Sequence, residues 1–194
     1  MSEACFDLNA AKVEQVPFPH FSIGAVLPPT TIKNLFDWFQ QTDVWKLVKT
    51  DFYEQYEFSL LHVDLPKHLK FLISEATLHY IEQRYIQEFG VNALILVDIV
   101  AHKLVNEQRI RVHNDFINGE ETHRMILHIN PLWKEENGGL LLLFNSSKVE
   151  DLSKIVKPMD NTAFGFEISR RSHHAVSKIY DYTRYTIVYT FKQQ

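Results

Sequence analysis

The chain has 194 residues, 45% of them hydrophobic and 13% aromatic, with a formal net charge of −4, which fits one globular domain. No run of Lys or Arg exceeds two residues, so the acidic balance leaves no electrostatic footprint for a nucleic-acid backbone. Cys5 is the one cysteine, which excludes an internal disulfide and points to a reducing, cytoplasmic setting; with no basic segment ahead of an apolar run at the start, and no uncharged apolar stretch near about 18 residues, neither a secretory leader nor a membrane span is expected.

In chain order, Pro17 to Ile23 reads as a short strand closed by Pro28 and Pro29. Thr30 or Thr31 can cap a helix in which Ile32, Leu35, Phe36 and Phe39 recur at helical spacing. Residues 44–63 alternate loosely and hold one or two short strands. Pro66 opens a longer helix, whose Leu69, Leu72, Ile73, Ile81 and Tyr85 run to a stop at Gly90. From about 93 the pattern is strand-like to the end, with strands at 93–100, 109–115, 122–130, 139–144, 162–168, 172–179 and 183–192. Two helices followed by many strands predict a mainly β (α+β) sandwich or closed barrel, with helical support over about 28–90 and a barrel core over about 93–192, as a single domain spanning 1–194.

The segment Arg111 to Asp115 falls on one of these strands, and alternation puts His113 and Asp115 on one face. An imidazole beside a carboxylate is the start of a metal chelate. A third ligand from a distant strand would complete a two-His, one-carboxylate triad that leaves positions open on iron(II). The stretch Arg170 to Ser177 offers His173 and His174 for it. Ten residues after His174 stands Arg184. A turn at Tyr180, Asp181 and Tyr182 would make the two strands a hairpin and point Arg184 into the barrel, with Thr186 on the same face. A planar guanidinium with a hydroxyl beside it suits the distal carboxylate of an oxo acid.

Taken in order, these motifs resemble the prolyl-hydroxylase-like branch of the 2-oxoglutarate- and iron(II)-dependent oxygenases. The resemblance covers most of the chain. It rests on the opening Pro17-Phe18-Pro19-His20-Phe21 with Leu27-Pro28-Pro29, on His113-x-Asp115, and on Asn130 with Trp133. Asn137-Gly138-Gly139-Leu140, which resembles a Gly-Gly-x-Leu turn and strand, His174-x-Val176 and Arg184-x-Thr186 continue it. It implies a double-stranded β-helix, a cupin-like jelly-roll with N-terminal supporting helices and the site at its open mouth. It implies Fe(II), 2-oxoglutarate as co-substrate, O₂, and ascorbate or another reductant. The activity implied is that of a dioxygenase hydroxylating an unactivated C–H bond of an amino acid, free or within a peptide or carrier-bound intermediate. Desaturation, cyclisation and epoxidation use the same cofactors. A metal-binding cupin-like isomerase or a non-catalytic barrel would not need Arg184.

The His-x-Val pattern and the spacing to Arg184 favour His174 over His173 as the third ligand. His128 stands where many relatives carry Tyr, and it shares strand parity with Arg124. His128 is read as a second contact to the co-substrate, and Arg124 as a contact to the co-substrate or to a substrate carboxylate. Asp115 occupies the position where related halogenases carry a small residue, which favours hydroxylation. His20 and His102 read as structural, His123 as facing away from the site, and Trp133 as packing or pocket wall. Residues 44–63 and 145–160 are the expected substrate lids. The expected substrate is a small molecule, an amino acid or a peptide, with neither nucleic acid nor membrane as partner.

Overall fold

The computed structural model describes residues 6–194, so Cys5 lies outside the described residues. Two helices, α1 (Pro29–Gln41) and α2 (Glu75–Phe89), stand in the N-terminal half. The strands in chain order are β1 (His20–Gly24), β2 (Lys46–Lys49), β3 (Glu54–Ser59), β4 (Leu94–Leu104), β5 (Ile110–His113), β6 (His123–Ile129), β7 (Leu141–Phe144), β8 (Leu152–Val156), β9 (Thr162–Glu167), β10 (His174–Val176) and β11 (Arg184–Gln193). They form a seven-stranded sheet in the order β1-β9-β6-β11-β4-β3-β2 and a four-stranded sheet in the order β5-β10-β7-β8. All the pairings are antiparallel.

Alternation along the strands divides the larger sheet into two faces. Leu127, Ile187, Tyr189 and Ile99 pack with Leu35 and Phe39 of α1 and Ile81 and Tyr85 of α2 in one buried cluster. The opposite face buries Phe164, Phe166 and Leu104 against Leu141, Leu143 and Val176 of the smaller sheet. This is the double-stranded β-helix, and its interior is the second cluster. The helices lie outside, as support.

Several boundaries differ from the sequence reading. Helix α1 begins at Pro29 after Pro28, with no side-chain cap from Thr30 or Thr31. Proline's fixed φ already suits the first turn. Pro66 opens a 3₁₀ segment, Lys67–Ile73, and α2 starts only after Ser74, whose Oγ accepts from the Thr77 amide at 3.3 Å. Gly90, at φ 70°, ends it as expected. The span 145–160 contains an unexpected edge strand, β8. Its Leu152 and Ile155 are exposed, so the strand shows little alternation in sequence. Residues 44–63 hold β2 and β3, which extend the larger sheet. Among the described residues, no helix is long and apolar enough to cross a membrane.

His123 faces the helices, as its parity required. Its ring lies 5.9 Å from that of Tyr85 and 5.3 Å from that of Phe89. Its Nδ1 meets Thr122 Oγ1 at 2.9 Å, and its Nε2 is buried without a partner. Burial pulls its pKa from 6.5 down to about 4. Below pH 6.5 the unfolded chain therefore takes up a proton that the folded chain refuses. Stability from this group is present above 6.5 and is lost as pH falls towards about 4. We expect His123→Phe to reduce the slope of stability against pH in the metal-free protein between these two pH values, measured by urea unfolding. A slope equal to that of the wild type would refute it.

Candidate metal centre and anion pocket

Strand β5 ends at His113, two residues short of the expected boundary. Asp115 lies beyond it with φ 58°, a left-handed conformation that Asp tolerates better than most residues. Asn114 holds the turn: its Oδ1 accepts from the Phe116 amide at 3.2 Å, and its carbonyl accepts from Ser172 Oγ at 2.9 Å. His113 and Asp115 are thus brought together by a bent turn, and not by strand alternation. His113 Nε2 lies 3.2 Å from Asp115 Oδ1.

His174 opens β10 and pairs directly with His113 across the sheet. Their ring centroids are 4.3 Å apart, and His174 Nε2 lies 3.1 Å from Asp115 Oδ2. Each Nδ1 faces a backbone carbonyl, that of Arg111 at 2.9 Å for His113 and that of Ser172 at 2.8 Å for His174. A carbonyl only accepts, so Nδ1 carries the proton and the Nε2 lone pair faces the carboxylate. One donor atom from each of the three residues lies within 4.8 Å of the others. His173 borders the outer cleft instead.

Burial alone would raise the Asp115 carboxyl, but the Arg124 guanidinium beside it holds it well below the usual range. Burial, and then His113, lower His174, which favours the neutral ring a metal requires. Arg124 NH1 is 2.8 Å from Asp115 Oδ2, and its NH2 is 2.5 Å from Glu121 Oε2. The guanidinium is therefore engaged by carboxylates of its own chain. This departs from the expected contact between Arg124 and a co-substrate or substrate carboxylate. Despite its close neighbours, Asp115 Oδ2 is buried without a hydrogen bond of proper geometry. A buried carboxylate whose two oxygens each face an imidazole lone pair fits a divalent cation.

One narrow cavity joins these three residues to Arg184 and Thr186. Strands β10 and β11 belong to different sheets, so the chain crosses from one layer to the other after His174, where a hairpin was expected. The crossing still sets Arg184 beneath the triad. Arg184 is only 4% exposed and, among the described residues, has no carboxylate partner. Burial lowers its pKa to about 10, so it stays charged at neutral pH. Its Nε is unpartnered, and its NH2 is 3.5 Å from His128 Nδ1. His128 pairs in register with Thr186, which pairs on its other side with His102. Burial, then Arg184, pulls His128 well below its ordinary pKa. A buried cation without a counter-charge, flanked by a hydroxyl, is an anion pocket. Gly139, at φ 67°, makes room for it, since a Cβ there would stand 3.0 Å from Arg184 Cδ.

A wider cleft of about 590 Å³ opens above the triad. Phe52, Tyr53, Gln55, Glu57 and His102 line it. The sequence reading had placed His102 among the structural histidines and 44–63 only generally as a lid. Parity along β3 could have put Gln55 and Glu57 on one face, but nothing in the sequence said which face. His102 is pulled down to about 3, by burial first and then by Arg124 and Arg184. Of residues 145–160, Ser147 borders this cleft. Trp133 is packing: its Nε1 donates to the Gly138 carbonyl at 2.8 Å.

Residues 99–192 match the family model of the 2OG-Fe(II) oxygenase superfamily. No curated protein matches the chain in sequence. Among solved structures, it is similar to a prolyl-4-hydroxylase from Pseudomonas putida, at 14% identity and TM-score 0.73, over 90% of this chain and 92% of that one. It is also similar to a prolyl hydroxylase from Trichoplax adhaerens in complex with a hypoxia inducible factor oxygen degradation domain peptide fragment, at 14% identity and TM-score 0.75, over 90% and 83%. A viral collagen prolyl hydroxylase from Paramecium Bursaria Chlorella virus-1, in a 2OG complex, follows at 11% identity and TM-score 0.63, over 90% and 96%.

Replacing His174 by Ala should weaken divalent-metal binding by more than about 100-fold, as read by anaerobic titration with Co(II). Binding equal to that of the wild type would remove His174 from the ligand set.

Proposed function

We propose that this chain, a 2-oxoglutarate- and iron(II)-dependent oxygenase with a prolyl-hydroxylase-like fold, hydroxylates an unactivated C–H bond of an amino acid or peptidyl substrate, with His113, Asp115 and His174 as its iron ligands. The observation that carries the assignment of residues is their placement in one cavity with the buried, uncompensated Arg184. A closed structural metal site would have no use for a buried cation next to it. An oxygenase of this kind needs both, because its co-substrate is a dianion that must reach the metal.

Iron(II) held there supplies the redox chemistry by which O₂ converts 2-oxoglutarate to succinate and CO₂ and hydroxylates the substrate. The chain's own residues do the positioning. The two Nδ1–H···O=C bonds fix the imidazole planes before the metal arrives, so little is lost in ordering them. Arg184 and Thr186 take the distal carboxylate of 2-oxoglutarate, and neutral His128 supports Arg184 without adding charge. Arg124 is a positioning residue: its ion pair with Asp115 Oδ2 restrains the carboxylate. That is a different role from the co-substrate contact expected at first. Phe52 leans on the His113 ring at 4.8 Å and helps to shield that ligand from water. The retained carboxylate at Asp115 supports hydroxylation. A peptidyl substrate is supported by the peptide bound to the Trichoplax adhaerens neighbour.

Iron(II) and 2-oxoglutarate added without oxygen should together give a weak visible charge-transfer band that neither gives alone. Arg184→Ala should keep metal binding and raise the 2-oxoglutarate needed for half the band by roughly tenfold or more. An unchanged requirement would remove the role given to Arg184.

A further inference from the structure

The cleft above the triad has an inner wall that the steps above do not use. Glu57 on β3 pairs in register with His102 on β4. Its Oε2 accepts from Gln55 Nε2 at 2.8 Å. Gln55 is only 2% exposed, and its Oε1 has no partner. The orientation of this amide follows from chemistry, since a carboxylate only accepts and Nε2 must be the atom turned towards it. The other end of the amide is then a second acceptor. An unpaired buried acceptor costs stability unless something donates to it.

Charge tells the same story. Arg124 is shared by Asp115 and Glu121. Among the described residues, the one basic group within 4 Å of Glu57 is His102, at 3.9 Å, and that ring is neutral at ordinary pH. Glu57 thus lines the cleft as a carboxylate without a cation. Around it stand Phe52 and Tyr53, with Phe116 further along, which offer apolar walls to an aliphatic stem.

From these observations we propose that Gln55 and Glu57 form a substrate subsite for a cationic nitrogen group, an ammonium or guanidinium. The group donates to Gln55 Oε1 and to the Glu57 carboxylate while its stem lies along the aromatic wall. The inference rests on the oxygenase reading and adds to it a substrate class, a molecule or residue that carries a positive nitrogen near the oxidised carbon.

The test uses the anaerobic protein loaded with iron(II) and 2-oxoglutarate, and follows the charge-transfer band as small probes are added. Nα-acetyl-lysine amide carries only a side-chain ammonium, and norleucine amide only an α-ammonium. Nα-acetyl-norleucine amide has neither, and Nα-acetyl-glutamate amide is anionic. At least one ammonium probe should perturb the band at a concentration roughly tenfold or more below that of the neutral and anionic ones. Which one does so tells a side-chain amine from an α-amine. Glu57→Gln should abolish that preference. A band that forms but responds equally to all four probes, or a preference that survives Glu57→Gln, would overturn the subsite alone. Failure of the band to form at all would overturn the oxygenase reading, and the subsite with it.

Discussion

The carboxylate of Asp115 is the point on which the rest of the site depends. It is taken out of water, and burying a lone carboxylate costs more than a folded chain of this size can spare. The fold meets that demand with the Arg124 guanidinium, and sets beside the carboxylate two imidazoles whose Nε2 lone pairs would share a cation with it. His113 comes from β5, His174 from β10 and Arg124 from β6. Strands β5 and β10 belong to the smaller sheet and β6 to the larger, so the charge on Asp115 draws the two layers together at the mouth of the barrel. Arg124 in turn is balanced by Glu121. The left-handed turn at Asp115 lets the carboxylate reach all of them.

The larger sheet serves the fold and the site with its two faces. Tyr185, Ile187 and Tyr189 of β11 turn towards the helices, where the aromatic density of the sequence is spent as core. Arg184, Thr186 and Val188 of the same strand turn inward and line the cavity. A strand buried on both sides is usually apolar throughout. Here the inward face is polar where the site lies, and apolar again deeper in, where Phe164, Leu141 and Val176 close the barrel. The helical layer gives the sheet the rigidity that allows uncompensated groups such as Arg184 to be held in place.

Arg184 and Glu57 are opposite instances of one physical situation. Among the described residues, each is a charge without a paired opposite charge, one in the narrow cavity and one in the open cleft. A fold holds such groups when a ligand supplies the missing charge. The triad lies between them. On our reading the co-substrate arrives as the anion and the substrate as the cation, with the metal at the boundary. Neutral histidines fill the space between: His128 and His102 flank Thr186 on neighbouring strands, and burial keeps both uncharged.

Much of this was legible in the residues. The spacing of His113, Asp115, His174 and Arg184, the change from helical to strand periodicity near residue 93, and the parity that set Arg124, Ile126 and His128 opposite His123 are local properties of the chain, and the structure keeps them. Side-chain alternation and turn chemistry act over a few residues, so a sequence displays them directly. What depended on distant pairing was not visible. The crossing between β10 and β11, the edge strand β8, the left-handed turn at Asp115 and the capture of Arg124 by Asp115 and Glu121 follow from which strands become neighbours. So do the placements of Gln55, Glu57 and His102 in the cleft, because β3 shows the same alternation whichever face is turned inward. The sequence by itself determined the kind of chemistry, since ligand types and their order are written in it. Only the tertiary structure decided which charges meet, because pairing across sheets is settled by burial and register summed over the whole molecule.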